Sequence, residues 1–227
     1  MTSTFRTFRQ GRRWILGALC ACALAPLAIA PASALTARER ALVSEVSQFF
    51  NSYRTLKGSF TQISPRGRVS TGRFFIAKPG RMRFEYTPPH PLVIVSDGTW
   101  VAIRNNARDK VDYYPLSKTP LKMVLAERVD LMRDAQVRRV EQKDGLLVIT
   151  LKANDKSVPG FLQLIYDPQQ RTLRQWIVVD GQGRRTTISL SELQMDTPMN
   201  DRIFRVKRPG EGPRRRRKKT NFNAARR

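Results

Sequence analysis

The strongest constraint on the fold is an alternation of apolar and polar side chains that recurs along most of the chain. In residues 81–86, RMRFEY, three apolar side chains alternate with two arginines and a glutamate. Successive side chains of a β-strand point to opposite faces of its sheet. The alternation therefore predicts strands with one apolar face and one polar, cationic face.

Eleven segments are strand-like, and turn-forming residues separate them. They are residues 56–64, 68–77, 81–86, 91–96, 99–104, 110–115, 136–141, 146–151, 161–166, 172–180 and 184–193. Turn pairs such as Asp97-Gly98, Asn105-Asn106 and Asp144-Gly145 lie between them. We expect the first six segments to form a long antiparallel meander. Eleven strands with only a few short helices exclude a doubly wound parallel sheet and favour one large curved antiparallel sheet with helices on one face.

Two regions interrupt the strand pattern with helical spacing. Thr36 and Glu39 form a capping-box pair, and apolar residues three or four apart follow them, which predicts a helix over 37–53. The spacing in residues 117–133 predicts one or two short helices. Short helices cover a large curved sheet only in part, so an apolar cavity beneath them and a filled core are both compatible with the pattern.

The N-terminus has the three-part layout of a secretory signal. Residues 1–13 carry four arginines, residues 14–30 are apolar, and Ala32-Ser33-Ala34 is a small-x-small cleavage step. A retained anchor is the alternative, but Pro26 and Pro31 interrupt the run, and a membrane span needs about 20 apolar residues. We predict a signal peptide over 1–34, export to the periplasm by either the Sec or the twin-arginine route, and a folded domain over 35–208.

The charge is strongly positive, with 42 Lys+Arg against 18 Asp+Glu. Residues 209–227 contain eight basic residues and one acid with few apolar side chains, which predicts a disordered tail. Six consecutive basic residues lie in this tail: Arg214, Arg215, Arg216, Arg217, Lys218 and Lys219. They either bind an anionic membrane surface or are simply exposed to solvent. Export would remove nucleic acid as a partner.

Few residues are suited to catalysis or to metal binding. The only cysteines are Cys20 and Cys22, inside the predicted signal, and His90 is the single histidine. His90 is expected to be an exposed loop residue, and Asp167 and Asp180 are expected to form turns. We therefore predict a binding protein with no catalytic residues, no metal site and no cofactor.

Several motifs resemble one family. They are GSFTQ at 58–62, GRF at 72–74, AKPGRMRFEY at 77–86, VSDGTW at 95–100, WIVVDGQG at 176–183 and IF at 203–204. Together they resemble the periplasmic outer-membrane lipoprotein carriers, LolA, over nearly all of residues 36–208. The segment from 78 to 86 followed by Ser96-Asp97-Gly98 is the most specific part of the resemblance.

The resemblance implies an incomplete, half-open antiparallel β-barrel of about eleven strands covered by a helical lid. Such a carrier holds the acyl chains of lipoproteins in an apolar cavity. As a monomer, it receives them from an ATP-driven release complex in the inner membrane and delivers them to an outer-membrane acceptor. The alternative within the same fold is a periplasmic lipid-binding sensor or regulatory module.

The candidate site residues fall into three groups, and ordinary core packing is the competing interpretation for the first two. The expected cavity-lining residues are Phe60, Phe74, Met82, Phe84, Tyr86, Ile94, Trp100 and Ile149. The expected lid contacts are Leu42, Val46, Phe49, Leu121, Val124 and Leu125. The resemblance implies that the basic residue before Pro79, the proline of the AKPGRMRFEY motif, holds the lid by hydrogen bonds to helix backbone. Here that residue is Lys78, and because lysine lacks the planar fork of arginine, Arg81 or Arg83 is the alternative clamp.

Overall fold

The computed structural model describes residues 35–108 and 110–206. The predicted signal peptide, residues 1–34, and the predicted tail, residues 209–227, lie outside the described residues. The first element is helix α1, Ala37–Asn51. Its capping box is confirmed, because the Thr36 hydroxyl accepts from the Glu39 amide and the Glu39 carboxylate accepts from the Thr36 amide at 2.7 Å. The helix ends at Asn51, two residues before the predicted end.

Eleven strands follow, and each overlaps a predicted segment. They are β1 (Thr55–Ile63), β2 (Val69–Ala77), β3 (Arg81–Tyr86), β4 (Leu92–Asp97), β5 (Trp100–Asn105), β6 (Lys110–Pro115), β7 (Ala135–Lys143), β8 (Leu146–Ala153), β9 (Phe161–Asp167), β10 (Thr172–Val179) and β11 (Arg185–Met195). In β3 the burial alternates as predicted, with Met82, Phe84 and Tyr86 buried.

All eleven strands belong to one antiparallel sheet, which is open. Its order is β6-β5-β4-β3-β2-β1-β11-β10-β9-β8-β7. The chain thus forms two meanders, β1 to β6 and β7 to β11, which are joined where β1 pairs with β11. The first six strands form the predicted meander, and β6 and β7, although consecutive in the chain, lie at opposite edges of the sheet. The half-open antiparallel architecture itself is confirmed.

The segment between the two meanders, residues 116–134, is named here the lid segment. It consists of two short 3-10 helices, Leu116–Lys118 and Pro120–Met123, and helix α2, Leu131–Asp134. The Asp130 carboxylate caps α2 by accepting hydrogen bonds from two backbone amides of its first turn. A last 3-10 helix, Asp201–Phe204, packs beside β3 and β4.

The inner face of the sheet is apolar and largely packed. Phe49 of α1 lies edge-on to Tyr166 of β9, with the ring centroids 5.8 Å apart, so α1 contributes to a filled core. The outer face is not uniformly polar, because Val95 and Ala102 are buried on it. Within residues 35–206, Asp109 aside, no helix is long and apolar enough to cross a bilayer.

Candidate functional site: an apolar cavity beneath the lid segment

An apolar cavity of about 490 Å³ lies between the inner face of the sheet and the lid segment. Side chains from both meanders meet there. The lining residues are Gln62, Met82, Phe84, Tyr86, Ile94, Val101, Ile103, Tyr114, Lys118, Thr119, Pro120, Leu121, Pro159, Trp176, Val178, Val179, Asp180, Thr186 and Ile188. The space is of the size in which proteins bind small apolar ligands.

The chemistry of the lining suits an aliphatic chain. Aromatic and branched aliphatic groups form most of the wall, and the polar residues are few. Gln62 is held by the Tyr86 hydroxyl, which donates to its side-chain oxygen at 2.7 Å. Burial raises the pKa of Tyr86 to about 12, so the phenol is neutral around pH 7. The two charged lining residues, Lys118 and Asp180, are paired with Asp155 and Arg184. The mainly apolar wall therefore favours hydrocarbon over a charged ligand.

Four of the eight predicted lining residues lie at the cavity: Met82, Phe84, Tyr86 and Ile94. Phe60, Phe74 and Ile149 are fully buried in the core and are not in contact with the open space. The Phe84 ring lies 5.0 Å from the Phe60 ring and 5.7 Å from the Phe74 ring, centroid to centroid. Phe84 is therefore both a cavity wall and part of the aromatic core.

Trp100 does not line the cavity, contrary to the prediction. Its neighbour Val101 and then Ile103 line the space, and alternate residues of a strand point to opposite faces. Trp100 consequently lies on the outer face of β5. The register agrees, because Val101 pairs with the cavity residue Tyr114 while Ala102 pairs with Tyr113. The alternation in residues 99–104 already places Val101 and Ile103 on one face and Trp100 on the other.

Only Leu121 among the six predicted lid contacts lines the cavity. Val46, Phe49, Val124 and Leu125 are buried in the core, and Leu42 packs against it. Helix α1 therefore covers a filled part of the sheet, and the first half of the lid segment covers the cavity. Periodicity predicts which face of a helix is buried but not what that face meets.

Lys78 connects the turn between β2 and β3 to helix α1. The residue is 5% exposed, and its Nζ donates a hydrogen bond to the Phe50 carbonyl in the last turn of α1. The Tyr53 ring lies 4.9 Å from this nitrogen, measured to the centroid. Burial lowers the pKa of Lys78, as does the charge of nearby Arg54, and Asp196 opposes this shift. This contact to helix backbone is the one that the family resemblance implies, and its role in lid opening stays a prediction.

Arg81 and Arg83 do not contact the lid, so the alternative clamp is wrong. They alternate with Met82 and therefore lie on the outer face. Arg81 donates to the Asp201 carboxylate at 2.6 Å, and Arg83 donates to the Ile203 carbonyl at 3.0 Å. Both arginines instead hold the last 3-10 helix against the sheet.

Sequence reasoning missed the direct attachment between α1 and the lid segment. The Asn51 side chain donates to the Val129 carbonyl and accepts from the Val129 amide, both at 2.8 Å. One turn earlier, the buried Ser47 hydroxyl accepts from the Leu131 amide at 3.2 Å. No local motif indicates these contacts, because their partners are separated by 78 and 84 residues.

His90 and three turn aspartates, which the sequence also singles out, make contacts that stabilise the fold. His90 is half-buried rather than exposed, and its ring stacks on Tyr86 at 4.8 Å between centroids. Asp97, Asp167 and Asp180 accept backbone amide hydrogen bonds within their turns, as expected. Among the residues that the structure describes, no group of three or more His, Cys, Asp or Glu side chains is placed to hold a metal ion.

An open antiparallel sheet with an apolar cavity under a short helical lid defines a class of proteins that bind hydrophobic cargo. Within this class, the family described as outer membrane lipoprotein carrier protein LolA matches residues 51–207. The chain belongs to this family, so the resemblance found in the sequence is confirmed. Proteins of the family are non-enzymatic carriers.

Two relatives named as carriers are similar to most of this chain. The chain is 28% identical over 200 residues to the outer-membrane lipoprotein carrier protein of Methylibium petroleiphilum, covering 84% of this chain and 91% of the relative. It is 27% identical over 178 residues to the carrier protein of Dechloromonas aromatica, covering 74% and 84%. A crystal structure of a LolA superfamily protein from Nitrosomonas europaea aligns with a TM-score of 0.45 at 13% identity, over 76% of this chain and 99% of that one.

Proposed function

We propose that the protein carries lipoproteins through the periplasm from the inner to the outer membrane, with acyl chains held in the cavity beneath the lid segment. The observation that supports this proposal is the apolar cavity lined by residues of both meanders. Family membership supplies the cargo class. An ATP-driven release complex in the inner membrane and an outer-membrane acceptor are the proposed partners.

The size of the cavity limits what it holds with the lid segment in place. A methylene group occupies roughly the volume of a water molecule, about 30 Å³, so 490 Å³ accommodates about 16 methylene groups. This is about one acyl chain. A cargo with more than one chain exceeds this space, and an outward movement of the lid segment would enlarge it.

The energetics explain why a carrier is needed. Each methylene removed from water contributes about 0.8 kcal/mol, so a chain of this length loses on the order of ten kcal/mol when it enters water. Shielding the chain removes this barrier. The carrier must nevertheless surrender its cargo, which favours a lid attached by a few hydrogen bonds over one packed as tightly as the core.

The proposal is tested by lipoprotein release from spheroplasts that contain the release complex. Added wild-type protein should bring acylated lipoprotein into the soluble fraction, where the two copurify. Ile94→Gln should reduce release about tenfold or more, because it places an amide against the chain and removes apolar contact. Val93→Gln is the matched control, since Val93 lies next to Ile94 on the outer face.

Failure of wild-type protein to release any lipoprotein from competent spheroplasts would refute the carrier function. Native mass spectrometry then identifies what the cavity holds. Phospholipid without lipoprotein would support a lipid-binding sensor of the same fold. Equal release by the Ile94 and Val93 variants would show that the acyl chains bind elsewhere.

A further inference from the structure

The tip of the β1–β2 hairpin carries an exposed surface of apolar and cationic side chains. This surface, the hairpin patch, comprises Ile63, Pro65, Arg66, Arg68 and Val69. Ile63 and Val69 are a register pair, so their side chains stand together on one face. They are 43% and 64% exposed, among the most exposed large apolar side chains of the described chain. An exposed apolar group rimmed by polar residues is typical of an interaction site.

The hairpin patch projects from the sheet on a well-formed turn. The Gly67 amide donates to the Ser64 carbonyl and the Ser64 amide donates to the Arg68 carbonyl, both at 2.9 Å. Gly67 has a φ of +74°, and a Cβ atom built there would meet nothing within 4 Å. The tip is therefore shaped by its own hydrogen bonds and is open to an approaching surface.

The charge around the tip is positive. Within residues 35–206, with Asp109 set aside, neither Arg66 nor Arg68 has an ion-pair partner. On the adjoining β10–β11 turn, Arg184 is neutralised by Asp180 at 2.7 Å, whereas Arg185 donates to the uncharged Gln163. A flat anionic surface would meet several cations and two apolar side chains at once.

The hairpin patch is next to the mouth of the cavity. Ile63 directly follows Gln62, which lines the cavity from the opposite face of β1. The β10–β11 turn beside the patch begins at Asp180, and Thr186 is the second residue of β11. Both of these residues also line the cavity. A surface that contacts the patch therefore lies close to the opening through which an acyl chain passes.

We propose that the hairpin patch docks on the surface of an anionic lipid bilayer. Ile63 and Val69 enter the interface between headgroups and acyl chains, and Arg66 and Arg68 contact headgroup phosphates. A bilayer fits better than an acidic protein because the narrow tip presents two exposed apolar side chains beside two arginines, whose planar guanidinium groups suit phosphate. The inference goes beyond the carrier function, and docking on lipid is measured without any lipoprotein.

The test places an environment-sensitive nitrobenzoxadiazole dye at the tip. Val69→Cys is labelled in the full-length chain with Cys20 and Cys22 replaced by serine, so the introduced thiol is the only one. Vesicles of phosphatidylcholine with an equal part of phosphatidylglycerol should raise and blue-shift the emission, and lipid-borne quenchers should reduce it. Pure phosphatidylcholine vesicles should have little effect.

Met195→Cys, labelled in the same way, is the matched control. Met195 is 42% exposed, but it pairs with Leu56 near the opposite end of β1, roughly 20 Å from Ile63. Its dye should remain in water. In the Val69→Cys chain, Arg66→Gln with Arg68→Gln should weaken vesicle binding about 30-fold, which is roughly fivefold for each cation.

Each alternative outcome is distinguishable. Vesicle binding without a spectral change at Val69 would assign membrane contact to another part of the chain and overturn the proposal. Equal changes at Val69 and Met195 would indicate nonspecific adsorption and would also overturn it. A change only with protein-containing membrane vesicles would assign the hairpin patch to a protein partner instead of lipid. None of these outcomes depends on whether the chain carries lipoproteins.

Discussion

Replacing Asn51 with alanine should loosen the lid segment while leaving the sheet intact. The wild-type side chain makes two 2.8 Å hydrogen bonds to the backbone of Val129, which is buried. A neutral hydrogen bond contributes about 1 kcal/mol, so the two together stabilise the closed lid by about 2 kcal/mol. The population of the open lid should therefore rise about 30-fold in Asn51→Ala.

Hydrogen exchange measures this effect region by region. Backbone amides of the lid segment that exchange by lid opening should do so about 30-fold faster in Asn51→Ala. The thermal midpoint should fall by about 4–8 °C, given 2–4 °C for each kcal/mol in a domain of this size. Binding of a fluorescent fatty acid should also become faster, because the chain enters after the lid opens.

Asn105→Ala is the control, because the Asn105 side chain accepts one hydrogen bond from the Ala107 amide in the distant β5–β6 turn. It should speed exchange in its own turn and leave the lid segment unchanged. Unchanged exchange of the lid amides in Asn51→Ala would refute the reasoning, since it would show that lid opening does not break the Asn51 contacts.

Two further predictions concern pH and are measured by urea unfolding. Burial lowers the pKa of Lys78 below its ordinary value of 10.5. Between these two pKa values the unfolded chain binds more protons than the native chain, so the free energy of unfolding rises with pH in that window. Lys78→Met should remove this rise, whereas Lys57→Met should preserve it; parallel curves for wild type and Lys78→Met would contradict the assignment. The raised pKa of Tyr86, about 12 against an ordinary 10, makes its contribution to stability decline as pH rises from about 10 to 12. Tyr86→Phe should lower the free energy of unfolding by about 1 kcal/mol at pH 7, because the hydrogen bond to Gln62 is lost. Above pH 10 the stability of this variant should decline less steeply than that of the wild type, and an equally steep decline would contradict the prediction.

The local structure was predictable because it depends on short-range chemistry. Alternation along β3 determines which side chains share a face, and the Thr36–Glu39 pair determines where α1 begins. Both features involve residues only a few positions apart. The family motifs added the open sheet and the lid, which no single strand indicates. The same alternation also contained the correct assignment of β5, with Val101 and Ile103 facing inward.

The position of the cavity is set by contacts between residues that are distant in the sequence. Phe60 and Ile94 both lie on the inner face, yet only Ile94 borders open space, because the Phe84 and Tyr86 rings pack against Phe60. The lid contacts of Asn51 connect positions 78 residues apart. Sequence alone therefore determined the strands, their faces and the carrier family, since these follow from local spacing and recognisable motifs. Only the tertiary structure decided where the core ends and the cavity begins, because that boundary depends on how curved strands and short helices pack in space.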